Sequence, residues 1–251
     1  MSTSRMASSK PIMKNKQTIK ILVDEYTTCL RSLSPSQLRF EVEYGLEKGS
    51  STNSFLIFTS QNKAQSQVAS FLIHPPSISF EKEFINAFNP LITTYSSPIN
   101  IVMGHINPKR VALIKVLAKT YKNLTIYCSS PGAKIFQEIW QQRKPNTNSK
   151  NTFTKIPKIH IVQKEERIML ENEYSLKLIP IPTARWPGGL IVFEETSGLL
   201  MSDKLFGAHL CTKEWAESNS LSTEEERRHY YDCLMAPMSN QVDSIVEQVE
   251  E

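Results

Sequence analysis

The sequence predicts an α/β domain in which two mixed β-sheets pack face to face and carry helices on both outer surfaces, four layers in the order αββα. Three observations point there. Short β-like runs occupy the first part of the chain, two strand-turn-helix units follow between residues 99 and 140, and strands return after residue 159 before two closing helices. That order suits two sheets with helices outside. By itself it does not separate the sandwich from other α/β arrangements.

The elements follow in order. Phe40-Glu41-Val42-Glu43-Tyr44 alternates apolar and polar, the period of a half-buried strand. Ser54 to Phe58 and Val68 to Ile73 read as buried strands joined by a polar turn at Gln61 and Asn62. From Phe80 to Ile92, the residues Phe80, Phe84, Phe88 and Leu91 recur at helical spacing. Ile99, Ile101 and Val102 then lead into Gly104-His105-Ile106-Asn107, and Pro108 opens a helix. Proline suits the first helical position because its missing N–H would have no partner there. Asn107 is a good N-cap. A second unit runs from strand Leu124–Cys128 through Ser130, read as the cap, and Pro131 into a helix that buries Ile135, Phe136, Ile139 and Trp140. Residues 143–158, rich in Lys, Asn, Thr and Pro, read as an exposed loop. Strands are expected at Ile159–Val162, Tyr174–Ile181, Leu190–Phe193 and Leu199–Met201. A capping box, Ser222 with Glu225, starts one helix, and another covers Asn240–Glu250.

The 251 residues are 40% hydrophobic, enough to bury a sizeable core. No apolar run reaches the roughly 18 residues of a membrane span. The net charge of +4 is concentrated at one end. Arg5, Lys10, Lys14, Lys16 and Lys20 stand in the first 20 residues without an acid, and the rest carries 24 basic against 25 acidic groups. A nearly neutral body argues against the domain-scale basic face of a nucleic-acid-binding protein. Residues 1–19 read as a disordered basic tail, with a targeting segment as the alternative. Cys29, Cys128, Cys211 and Cys233 form no C-x-x-C pair, so they read as reduced, apolar core residues.

Three segments carry a family resemblance. The first is Thr27-Thr28-Cys29-Leu30-Arg31-Ser32, continued by Leu38 to Leu46 and Asn53 to Ile57. The second is Gly104-His105-Ile106-Asn107-Pro108-Lys109-Arg110. The third joins Pro180 to Pro187, Ser202-Asp203-Lys204-Leu205-Phe206-Gly207-Ala208-His209-Leu210-Cys211, and Arg227 to Pro237. From residue 20 to the C-terminus the chain resembles the flavodiiron proteins, especially the multidomain forms of oxygenic phototrophs. The resemblance implies a metallo-β-lactamase-like αββα domain over 20–251. In the family this domain holds two irons and is followed by a flavodoxin-like domain with FMN and, in phototrophs, a flavin reductase domain. Those later domains are absent from this chain, as is the segment with the last iron-binding His, so the sandwich is expected to lack a terminal strand.

The resemblance also implies a dismantled metal site. The family's H-x-E-x-D-H motif appears here as His105, Asn107, Lys109 and Arg110. The His before Trp-Pro is Arg185, and the bridging Asp slot holds Lys204, with Asp203 one position away. Two ferrous ions need anionic ligands, yet four cations stand in these slots. At an effective dielectric near 20, a cation about 4 Å from a dication is repelled by roughly 8 kcal/mol. No iron is therefore expected. Arg110, Arg185 and Lys204, with Lys109 nearby, are expected to form an anion-attracting site at the mouth of the sandwich, with Asp203 and either Glu194 or Glu195 as the acids within reach. Each basic group also has a plain surface reading. Trp186 is either a flavin-facing contact or core. His74, His160, His209 and His229 read as structural or surface residues.

Two functions remain open. One is a metal-free domain of a flavodiiron-type oxidoreductase that passes electrons from reduced nicotinamide through flavin toward O2, a photoprotective electron sink, with FMN supplied by a longer protein or a partner. The other is a catalytically dead subunit that dimerises with an active flavodiiron paralogue. A hydrolase of the wider fold would need a His-rich H-x-H-x-D-H motif, which is missing. The expected compartment is the cytoplasm, or the chloroplast stroma in a eukaryotic phototroph. Expected partners are a second copy or a flavodiiron paralogue, in a homo- or heterodimer, and a small anion, not nucleic acid.

Overall fold

A computed structural model of the chain describes residues 15–37, 39–40, 44–58, 70–92, 98–142, 155–170, 174–214 and 221–250. The larger sheet takes β1 (Gln17–Leu22), β2 (Thr27–Ser34), β5 (Ser50–Phe58), β6 (Ser70–Ile73), β7 (Ile99–Val102), β8 (Leu124–Ser129) and β9 (Lys158–Val162), in that spatial order. Pairings from β1 to β6 are antiparallel. Those from β6 to β9 are parallel, with α1 (Glu81–Ile92), α2 (Pro108–Thr120) and α3 (Ser130–Gln141) as crossovers. The smaller sheet, β10 (Glu166–Met169), β11 (Ser175–Pro180), β12 (Leu190–Glu194) and β13 (Leu199–Met201), is antiparallel throughout, so only the larger sheet is mixed.

Period-2 alternation divides the core into layers. Leu56, Leu72, Ile99 and Ile101 face α1 (Glu81–Ile92), α2 and α3. Phe55, Ile57, Phe71, Ile73 and Val102 face the opposite way and meet Leu176, Leu178, Leu190 and Val192 of the smaller sheet. Ile179 and Ile191 point outward again, onto a third cluster with Tyr230 and Leu234 of α4 (Leu221–Leu234) and Val242 and Ile245 of α5 (Ser239–Glu250). The result is the four-layer αββα sandwich of the metallo-β-lactamase-like class. Among the described residues no helix is long and apolar enough to cross a membrane.

Several local expectations change. The run Phe40–Tyr44 is not one strand. Its ends belong to β3 (Arg39–Phe40) and β4 (Tyr44–Gly45), which pair antiparallel, and residues 41–43 lie outside the described set. The cap of α3 is Ser129 rather than Ser130, its Oγ accepting from Gly132 N at 3.3 Å. Helix α4 begins at Leu221, one residue before Ser222, whose side chain lies outside the described residues. Folded structure begins ahead of the expected boundary at residue 20, because β1 starts at Gln17 and Lys16 donates to Ser79 O at 3.2 Å. The rest of the expected tail, 1–14, the turn at Gln61–Asn62, and 143–154 of the expected loop also lie outside the described residues.

Candidate functional site

The site lies where β7 leaves the larger sheet and β13 ends the smaller one. Asn107 is extended (φ −145°, ψ 164°), and its Oδ1 accepts from Arg110 N at 2.9 Å, so it caps α2 as expected. Gly104 lets the loop touch the second sheet. A Cβ there would sit 2.3 Å from Leu190 O and 2.8 Å from His74 Cε1. No larger residue fits without moving backbone.

Arg110, in the first turn of α2, folds inward and is 4% exposed. Its guanidinium donates to His105 O at 3.1 Å and to both oxygens of Asp203, at 2.8 and 2.7 Å. This fork-to-fork geometry is the strongest form of the Arg–carboxylate bond. Asp203 stands at φ 51° with its side chain 7% exposed. Burial alone would push its carboxyl up in pKa. The Arg110 charge and hydrogen bonds, helped by Lys204, outweigh burial and hold it well below the usual carboxylate range.

His74, expected to be merely structural, is part of this cluster. It is fully buried at φ 55°. Its Nδ1 accepts from Gly104 N at 3.3 Å, which leaves Nε2–H to donate to Met201 O at 3.0 Å. Both ring nitrogens are thus committed to the neutral form, and burial lowers the pKa in the same direction. His105 is half-buried, its pKa pushed down to about 3 by burial and then by Arg110, Lys204 and Arg185, against the pull of Asp203. Lys204 is half-buried on the same loop as Asp203, and its carbonyl accepts the Tyr230 hydroxyl at 2.6 Å. Arg185 stacks over the Trp186 ring at 5.5 Å, and that ring meets His105 edge-on at 6.3 Å.

The structure therefore gathers His105, Arg110, Arg185, Lys204 and Asp203, and adds His74. It does not gather the rest. Lys109 is exposed to solvent, one step round the helix from Arg110. Glu194 is buried but caps its own turn, accepting from Thr196 N and Ser197 N at 2.6 and 2.7 Å. Glu195 pairs with Arg167 at 2.6 Å. Neither acid is placed against the site's cations. Trp186, expected either as a flavin-facing contact or as core, is 6% exposed and packs in the outer core with Ile181 and Leu205. His209 packs on Tyr230, His160 pairs with Glu166, and His229 approaches the Cys233 thiol.

These residues do not fit a pair of irons. Both Asp203 oxygens and both His74 nitrogens are already engaged, and His105 is ringed by cations. Among the described residues no cluster of three His, Cys, Asp or Glu side chains could hold a metal ion. Behind the salt bridge, a cavity of about 20 Å³ touches Gly104, Trp186, Asp203 and Lys204. That is room for about one water.

No protein-family model matches the chain. It is similar to diflavin flavoprotein A 6 of Nostoc, 34% identical over 89% of this chain and 35% of the relative. The crystal structure of a 1–254 fragment of diflavin flavoprotein A 5 from Nostoc superposes with a TM-score of 0.78 at 29% identity, covering 95% of this chain and 86% of that one. A metal-soaked flavodiiron core from Synechocystis superposes equally well, at 28% identity over 94% of this chain and 54% of that one. The chain spans little more than a third of the length of the curated relatives it matches.

Proposed function

This chain belongs to the flavodiiron family as a metallo-β-lactamase-like core domain, and we propose that it serves an oxidoreductase of that family without holding iron. The observation that carries this reading is the buried Arg110–Asp203 pair, which puts a guanidinium against the one carboxylate in the site. A dication entering there would have to displace a bidentate contact and approach Arg185 and Lys204. Both steps are unfavourable by several kcal/mol.

In this reading the domain acts within a longer or hetero-oligomeric assembly. Further domains or a partner supply FMN and take electrons from reduced nicotinamide toward O2. A folded sandwich around a changed site also favours a second reading, an interaction subunit that dimerises with an active flavodiiron paralogue. Arg185 and Lys204, beside a neutral His105, are suited to a small anion such as chloride. Arg110, also expected to take part, is committed to Asp203. The compartment we propose is the cytoplasm, or the chloroplast stroma in a eukaryotic phototroph.

The test is elemental analysis of the protein purified from iron-supplemented cells. We expect well under one iron per chain. Two irons per chain, lost on substituting His105, would sink the metal-free reading. Anomalous scattering from a bromide soak tests the anion site, and no bromide near Arg185 and Lys204 would refute it.

A further inference from the structure

The nearly neutral body charge conceals a strong segregation. Residues 84–164 hold twelve basic side chains and one acid, Glu138, whereas residues 165–251 hold seven basic and seventeen acidic ones. The fold concentrates part of the basic stretch at one place. An open groove of about 670 Å³ lies at the end of the larger sheet opposite Gly104, where β7, β8 and β9 begin and α2 ends. Lys119, Lys122, Lys155 and Lys158 line it together with Tyr121 and Asn123, and no acid does. Helix α2 has 13 residues, so about 20 Å separates the groove from the Arg110 end.

Helix-end chemistry explains only part of this cluster. Lys122 Nζ donates to Lys119 O at 2.7 Å, a normal way to finish a helix. Lys155 and Lys158 come from a different segment and cap nothing. All four lysines are exposed, and none forms an ion pair among the described residues. Four like charges converging on a groove repel one another, so the arrangement costs stability unless something anionic meets it.

We propose that this groove is a docking surface for the carboxylate-rich face of a partner protein. The lining favours that occupant over others. It has lysines and no arginine, and lysine acts as a mobile point charge rather than the fixed fork that grips one phosphate. The adjoining helix end is a C-terminus, whose dipole opposes a small anion held deep in the groove. The one lining aromatic, Tyr121, spends its hydroxyl on Asn89 at 2.8 Å and is half-buried, so no stacking platform for nucleic-acid bases is present. A second copy of this chain could offer its acidic half. That contact would show as groove-dependent self-association, which the binding experiment separates from peptide docking.

The probe is a fluorescein-labelled oligo-glutamate of about ten residues, titrated into the full chain at low salt and followed by anisotropy. Binding should weaken by about tenfold or more in the Lys119→Glu/Lys158→Glu variant. It should also weaken steeply as salt rises. Lys134→Glu, an exposed lysine outside the groove, should leave binding unchanged, and unchanged thermal unfolding shows that the variants are folded. Any of four results overturns the proposal: no binding, equal binding by the groove variant, tighter groove-dependent binding of an oligothymidylate than of the oligo-glutamate, or groove-dependent self-association that excludes the peptide.

Discussion

Replacing Asp203 with Asn removes one negative charge and almost nothing else. Asn tolerates the φ of 51° at this position and has the same shape. What remains is the Arg110 guanidinium, 4% exposed, facing a neutral amide. Because both partners are buried, little solvent screening reduces the effect, and breaking such a pair costs about 3–5 kcal/mol. For a domain of this size that is a fall in melting temperature of roughly 6–20 °C. The double variant Asp203→Asn/Arg110→Met removes the stranded charge and should recover much of the loss. Urea unfolding followed by circular dichroism measures both, and the coupling comes from the double-mutant cycle. The sign with pH is also fixed. Asp203 is depressed below its unfolded value, so its contribution is present above about pH 4, the ordinary Asp range, and is lost as the pH falls toward the folded pKa. If Asp203→Asn costs under about 1 kcal/mol at pH 7 with no coupling to Arg110, the buried bidentate pair is not what holds these loops together.

Other outcomes follow from the same geometry. His105 and His209 both have pKa values pushed down to about 3, so stability present above about pH 6.5 should drain away toward pH 3 as the unfolded chain takes up protons first. His105→Gln should flatten that slope, and an imidazole NMR titration placing the His105 pKa near 6.5 would contradict the cationic ring around it. Gly104→Ala puts a methyl group 2.3 Å from Leu190 O and should destabilise by about 1–3 kcal/mol or more in the same urea assay. An unchanged midpoint would show that the two sheets approach less closely there. Arg185→Ala with Lys204→Ala should abolish the bromide peak at the site without lowering the melting temperature by more than a few degrees. A persistent peak would place the anion elsewhere.

Much of the sandwich is legible in the sequence because alternation and proline carry it. Strands β11, β12 and β13 fall within a residue of their expected positions, and Pro108 and Pro131 mark two of the three crossover helices. Strand β2, Thr27-Thr28-Cys29-Leu30-Arg31-Ser32-Leu33-Ser34, carries family residues but gives no strand signal, since most of it is polar. It is nonetheless buried, because its polar groups find partners: Thr27 Oγ1 meets Tyr174 OH at 2.7 Å, and Arg31 donates to Asn53 at 2.7 Å and Thr212 O at 2.8 Å. Polarity reads as exposure only when such partners are invisible. The site was legible as a set of slots but not as a set of contacts. Arg110 and Asp203 lie 93 residues apart, and His74 reaches them only because β6 and β7 pair in parallel with Ile73 opposite Val102. Lys109 and Arg110 are neighbours of like charge, and only the turn of the helix decides that one faces solvent and the other the core.

The Arg110–Asp203 fork joins a loop of one sheet to a loop of the other, the place where a bound ion would otherwise act as a staple. A staple taken from solution makes a fold only as stable as its supply, because ligand binding adds to stability in proportion to the logarithm of free ligand. One written into the chain has no such dependence. The two sheets of this domain should therefore lock as soon as the chain folds, with no wait for metal delivery. A strong chelator in the unfolding buffer should leave its denaturation midpoint where it was.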